Sequence, residues 1–398
     1  MIDRTNNFVF NSSMRIGIIG AGPAGASLAE KAAGQGHEVL LFDHRAPWEK
    51  PCGGGLTPRA LAEFPDLQSL PLSRQEVANV VFIGPSGRET VLPMRQAWHT
   101  VSRKELSQAL LTRAQAAGAE FFPARVIGVK PGRGFELETR TNRFAVDFLV
   151  GADGATGLTR RALAGKWPAQ DLCRCYGFLL PCPGVAPLVI KFYPDMLGYG
   201  WLFPRPGNLF SAGIAASGSA LGREALIGRL RRLVEGVLTR RGLLVPDFPK
   251  PYAALLPSLS AASFQAARVG GPNWALLGDA SGAVDPITGE GLAYAFQTSR
   301  LLAEALAEDQ GRSYPERWRR MVGPGIGRAA AMRDRFYRSR ILWLYSLTLA
   351  GSRSVGEITQ DLMTGAQNYA ELKARLKGAL PRILLETALS TLTGRLWR

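Results

Sequence analysis

The sequence predicts an α/β protein: a Rossmann-type dinucleotide-binding domain interleaved with an antiparallel-sheet domain and followed by a C-terminal helical region. Three observations carry this. A strand, a glycine-rich turn, a helix and a second strand succeed one another over residues 14–43. Two further apolar strands, far apart in the chain, each end on an Asp-Gly or Gly-Asp pair. Short apolar runs separated by Gly/Pro turns fill the intervals, as in a half-buried antiparallel sheet.

The chain divides accordingly. Residues 1–13 lack the apolar core of a signal peptide and read as a disordered extension ahead of Met14. Residues 14–75, 100–167 and 263–311 form the dinucleotide-binding domain. Residues 76–99 and 168–262 form the sheet domain, with one helix over "REALIGRLRRLVEGVLTR". Residues 312–398 read as helices. A length of 398 residues suits two or three domains with sizeable cores.

The opening unit is "RIGIIGAGPAGASLAEKAAGQGHEVLLFD". Gly20 permits the tight turn, Gly22 lets the backbone approach a pyrophosphate, and Gly25 lets the helix pack closely on the strand. Ala24 lies in the same turn, and the helix N-terminus faces the negative charge. Asp43 ends the second strand, where it can accept hydrogen bonds from an adenosine ribose. The later segments are "VDFLVGADGATGLTRRAL", with Asp153, and "NWALLGDASGAVDPITGEGLAYAF", with Asp279. Parallel sheets carry ligands at these strand ends. A flavin dinucleotide has a ribityl chain whose hydroxyls need an acceptor, a role suited to Asp279. The turn Pro286–Gly291 can place backbone N–H groups near the ring, ahead of a long helix from about Glu290. Alone, each pair would be a turn or a helix cap; in this order they select FAD.

The glycine turn, "GADG" and "GDASG…P…GEG" resemble the FAD-dependent para-hydroxybenzoate hydroxylase fold group over residues 14 to about 310. That resemblance implies one extended FAD, with Arg103 one turn into a helix near its phosphates or ribityl and Val126 beside the adenine. It also implies that Gly289, Gly291 and Leu292 approach the cofactor. Within the group, "KPCGGGLT" and Tyr199-x-Trp201-x-Phe203-Pro204, followed by eight residues and then Gly213, resemble the geranylgeranyl reductase family. Its members reduce isoprenoid double bonds on lipids, chlorophyll precursors or quinones.

In a strand the rings of Tyr199, Trp201 and Phe203 share one face, Gly200 and Leu202 point the other way, and Pro204 ends the strand. Packing of a sheet on its own core explains the pattern equally well in isolation. Beside the other motifs it reads as a wall holding an alkene against the flavin. Gly53 and Gly55 belong to a run that can pass tightly over a flat ring. Cys52 then lies near the flavin as a filler or a proton donor, with Tyr199 and an ordered water as other donors. The resulting expectation is an FAD-dependent reductase that saturates isoprenoid double bonds. The alternatives are an FAD-dependent monooxygenase of a hydrophobic or aromatic substrate and a flavoprotein that only carries electrons. A single dinucleotide fingerprint leaves NAD(P)H binding transiently, with ferredoxin-like or reduced-flavin donors equally open.

Cys173, Cys175 and Cys182 sit in an apolar stretch and read as buried strand thiols of a reduced, cytoplasmic protein. No cysteine or histidine spacing suits a metal. His99 reads as a satisfied core or surface histidine. Of the net charge of +16, the span from Gly311 onward holds 16 basic and 6 acidic residues, which is +10. No nucleic-acid motif accompanies this charge. The run "ILWLYSLTLAG" is too short to cross a bilayer. "LPRILLETALSTLTGRLWR" places Leu380, Leu384, Ala388, Leu392 and Leu396 at helical spacing. This region reads either as a cap closing a prenyl tunnel or as a surface resting on the inner face of the membrane. There Trp343 and Trp397 would sit at the boundary and arginines would meet anionic headgroups.

Overall fold

The computed structural model describes residues 13–181, 187–218, 221–337 and 339–393; Cys182, Leu396 and Trp397 lie outside them. Two large sheets set the architecture. The first has six strands in the spatial order Gly270–Gly271, Trp274–Leu276, Phe148–Gly151, Arg15–Ile19, Glu38–Phe42 and Glu120–Phe122. The four pairings among the last five are parallel. Parallel strands buried on both faces need apolar runs. RIGII and EVLLF supply them: Ile16, Ile18, Leu40 and Leu41 are almost fully buried.

Helices Pro23–Gly34, Arg103–Ala116 and Leu292–Asp309 cover one face of this sheet. A three-stranded sheet, Gly128–Pro131, Phe135–Glu138 and Arg143–Val146, covers the other. Two glycines make the first turn possible. Gly20 has φ +105°, and a Cβ on Gly25 would stand 1.9 Å from the Gly20 carbonyl oxygen. The last of these helices begins at Leu292, two residues after the expected Glu290, because Asp285–Gly291 stays in a turn.

The second sheet has eight strands. Their order is Tyr252–Pro257, Leu172–Pro181, Leu209–Ser217, Leu197–Arg205, Leu188–Phe192, Arg74–Ile83, Glu89–Val101 and Gly55–Leu56. All pairs are antiparallel except Leu188–Phe192 with Arg74–Ile83. Helix Arg223–Thr239 packs its apolar stripe on one face. Strands of this sheet therefore reach Arg74 and Val101, beyond the expected 76–99. The glycine run at Gly55 joins its edge because the Val101 N–H donates to the Gly54 carbonyl at 3.0 Å.

Pro204 does not end its strand, as the sequence reading had it; pairing continues through Arg205. The Pro204 carbonyl accepts the Thr100 hydroxyl. In a strand the N side of a residue points the same way as its carbonyl. The missing N–H therefore falls where strand Leu188–Phe192 has already ended, and no ladder bond is lost.

The C-terminal region is helical: Tyr314–Met321, Gly323–Tyr337, Ser339–Gly351, Arg353–Thr364 and Tyr369–Thr393. It is tied to both sheet domains. Arg333 reaches the Ser258 carbonyl and lies 3.8 Å from the fully buried Asp171. Tyr337 donates to the Ile287 carbonyl at 2.6 Å.

Candidate active site

A cavity of about 1530 Å³ lies where the two sheets and the C-terminal helices meet. The glycine turn contributes Gly20, Gly22 and Ala24, and the next strand ends on Asp43. Cys52, Gly53 and Gly55 line it, as do Arg103, Val126, Asp153, Asp279, Gly289, Gly291 and Leu292. Tyr199, Trp201 and Phe203 all face it. Of the residues expected at a site, Gly25 alone does not line it; it serves helix–strand packing instead.

Each ring of the aromatic wall sits on a glycine from another segment. A Cβ on Gly53 would lie 2.4 Å from the Phe203 ring. One on Gly213, the cross-strand partner of Trp201, would lie 2.1 Å from the indole. One on Gly289 would lie 3.0 Å from the Tyr199 hydroxyl, which donates to the Thr288 carbonyl. The Phe203 ring thus lies directly against Gly53. The spacing of Gly213 behind the aromatic motif has the same cause, because an indole lying across the hairpin leaves no room for a side chain opposite.

Charge around the "KPCGGG" loop is organised by Glu49, which sequence reasoning passed over. Its carboxylate accepts the Ser102 hydroxyl at 2.8 Å and the backbone N–H groups of Arg103 and Lys104 at 3.1 and 3.0 Å. It also pairs with the buried Arg205 at 2.7 Å. Burial would raise its pKa, but the Lys104 N–H and the Arg205 charge hold it below the usual range. Arg103 is thereby fixed as the first residue of its helix, rather than one turn in. The Cys52 carbonyl accepts Ser211 at 2.9 Å and Arg205 at 3.3 Å, which pins the loop to the aromatic hairpin.

Burial opposes ionisation of the Cys52 thiol. Arg103, the Gly54 N–H at 3.3 Å and Lys50 outweigh it, so the pKa falls below its ordinary value. Tyr199 moves the other way: burial and nearby thiols keep it a phenol. Cys173 and Cys175 are buried strand thiols, as expected, and both also line the cavity beside Trp201. A hydrogen bond donated to Cys173 and burial hold Cys175 as a thiol.

The acidic residues divide in their partners. Asp279 pairs through Oδ2 with Lys50 at 3.0 Å. Asp43 accepts the Ala21 N–H at 3.0 Å and the Arg45 N–H at 2.8 Å, bracing the glycine turn. Asp153 lines the cavity, but its carboxylate caps helix Leu158–Ala164 through Thr159. In the turn ahead of Leu292, burial raises the carboxyls of Asp285 and Glu290. Tyr369 hydrogen-bonds Asp285, and Thr57 donates to Glu290 at 2.7 Å. Tyr337 and Tyr369 carried no sequence signal, because helix residues more than 45 positions downstream meet the turn only in space.

The site suits an elongated, phosphate-bearing dinucleotide. Nothing lies within 4 Å of where a Gly22 Cβ would stand, so the backbone is open to a ligand at the helix N-terminus. Arg103 is 6% exposed, and its Nε lacks a partner. A buried guanidinium N–H without an acceptor calls for one on the ligand. Arg45, Lys50, Arg125 and Arg140 also line the cavity.

The family model for an FAD binding domain matches residues 13–175. The chain is 30% identical over 340 residues to menaquinone reductase of Mycobacterium tuberculosis (strain ATCC 25618 / H37Rv), a match spanning 77% of this chain and 79% of that one. It is 28% identical over 331 residues to digeranylgeranylglycerophospholipid reductase 1 of Methanopyrus kandleri, spanning 76% and 84%. Among solved structures, a geranylgeranyl bacteriochlorophyll reductase-like protein of Thermoplasma acidophilum shares the fold. Its TM-score is 0.75 at 20% identity, covering 92% of this chain and 99% of that one. With FAD as its cofactor, the chain belongs to the geranylgeranyl reductase family of FAD-dependent oxidoreductases.

Proposed function

We propose that this enzyme saturates carbon–carbon double bonds of an isoprenoid chain carried by a lipid or quinone. One observation carries the reading. Past Tyr199 the cavity continues between the C-terminal helices, beside Phe336, Tyr345, Ile358 and Met363. Among the described lining residues from Met321 to Leu384, none is charged. The charged lining residues all come from earlier in the chain, between Asp43 and Glu290; of these, Arg59 packs its stem against Gly365 and pairs with Glu63. An isoprenoid chain has no polar group to lose in such an arm, whereas a charged headgroup would be stranded there. The two curated relatives are named for different headgroups, and both kinds of molecule bear isoprenoid chains. An arm that reads the chain alone accommodates that difference.

When bound and reduced, FAD would supply hydride chemistry at one alkene carbon and end oxidised. The other carbon takes a proton, and positive charge builds at the tertiary position as it arrives. Tyr199 and Trp201 line the cavity, and aromatic faces attract cations by roughly 0.5–2 kcal/mol. Phe203, seated on Gly53, closes the wall next to Cys52. Of the candidate donors, Cys52 lines the cavity in the loop that Phe203 packs against and has its pKa lowered, while that of Tyr199 is raised. Cys52 is therefore assigned the proton. Mass spectrometry of lipid extracts incubated with dithionite-reduced holoenzyme tests the reading. The expected product gains two hydrogens per double bond. A product that gains oxygen in air, and no hydrogen without it, would mark a monooxygenase and overturn the proposal.

A further inference from the structure

We propose that the mouth of the uncharged arm rests on a lipid bilayer and receives its substrate chain sideways from it. This deepens the isoprenoid reading and rests on it. Helices Ser339–Gly351 and Tyr369–Thr393 turn large apolar side chains to solvent. Leu344 is 60% exposed, Leu384 62% and Leu392 83%, with Trp343, Leu380 and Leu389 near one half. The expected stripe at 380, 384 and 392 is thus real, but it faces outward. Such a face on a folded protein marks a contact.

The occupant follows from where the face leads. Leu344, Leu380 and Leu384 are exposed and also line the cavity, so the apolar surface runs unbroken into the arm. A protein covering this face would seal the mouth. A bilayer would instead present hydrocarbon chains to it. The composition agrees, because leucine is under-represented among protein–protein hot spots, whereas an interfacial helix uses leucine below and cations around it. Arg340, Lys377 and Arg382 are exposed on the same two helices, where anionic headgroups would meet them. No helix of the described residues is long and apolar enough to cross a membrane, so the helices would lie along the surface.

Flotation of the full-length holoenzyme with phosphatidylcholine–phosphatidylglycerol vesicles tests this without turnover. The wild type is expected to float. A Leu389→Glu, Leu392→Glu double variant, altered outside the cavity, is expected to partition about tenfold less or weaker, with FAD content and circular dichroism unchanged. Acyl chains brominated near the headgroup should quench wild-type fluorescence and quench the Trp343→Phe variant less. Equal flotation of the double variant, or a wild type that stays unbound, overturns the proposal. So does a wild-type dimer that the double variant dissolves while vesicle binding is absent, since the face would then join two copies. The two readings fail separately. A protein that floats but reduces no isoprenoid refutes only the reductase reading. One that reduces isoprenoid lipids in detergent but never floats refutes only this one.

Discussion

Cys52 and Tyr199 share a cavity wall but hold their protons in opposite ways, and this separates their expected roles. The thiol is the donating form of Cys52. Its pKa lies below the ordinary value, so the donating fraction falls as pH rises through that lowered pKa. Single-turnover alkene reduction should therefore decline on the alkaline side. Cys52→Ser, which does not titrate there, should remove that limb and slow reduction by about 10²–10⁴-fold. A variant that keeps both rate and limb would place the donor elsewhere. Trp201 gives a second residue-scale prediction. Trp201→Phe keeps an aromatic face and Trp201→Leu does not, so the Leu variant should be slower by up to about 30-fold, as roughly 2 kcal/mol of lost cation stabilisation implies. Equal rates would reduce the ring to a wall. Cys52 and the three rings were legible because each sits in a dense local pattern. Glu49, which sets the charge around them, was not: a lone acid before "KPCGGG" has no periodicity, and its partners Ser102 and Arg205 lie 53 and 156 positions away.

At the scale of elements, the hairpin Leu197–Arg205 with Leu209–Ser217 decides how the wall is built. Alternation alone places three rings on one face, and this was readable in advance. Register was not. Only the pairing of Trp201 with Gly213 shows why the motif needs its trailing glycine. Glycine to alanine in a strand ordinarily stabilises by about 0.4–1 kcal/mol through the unfolded chain. At Gly213 the new methyl would meet the indole at 2.1 Å. Gly213→Ala should therefore destabilise by about 1–3 kcal/mol. It should also slow alkene reduction while leaving FAD binding nearly intact, since the glycine lies away from the nucleotide turn. Urea unfolding and flavin titration check the two halves, and a stabilised variant would refute the packing argument. The C-terminal helices show the same limit. Spacing identifies which residues share a face, but whether that face meets core or solvent depends on neighbours that periodicity does not contain.

For the whole molecule, the order of the three nucleotide segments was legible because each ends a buried strand on a recognisable turn. The part played by the last helices was not, because Tyr337 and Tyr369 reach the Asp285–Gly291 turn from regions with no motif of their own. These contacts bear on stability. Arg333 on Asp171, Tyr337 on Ile287 and Glu49 on Arg205 join all three regions without any ligand. FAD adds a further link, because its expected contacts come from the glycine turn, the "KPCGGG" loop and the turn at Gly289. A ligand bound only to the native state stabilises by about 4 kcal/mol at a thousandfold excess over its Kd. Stripping the flavin should therefore lower the melting temperature, and restoring it should raise the temperature with the logarithm of free FAD. Because the protein–protein ties persist, the apoprotein should still melt in one cooperative transition. Calorimetry of apoprotein and holoprotein separates the outcomes. Two transitions in the apoprotein would mean that the cofactor, and not the buried ion pairs and tyrosine contacts, joins the regions around the cavity.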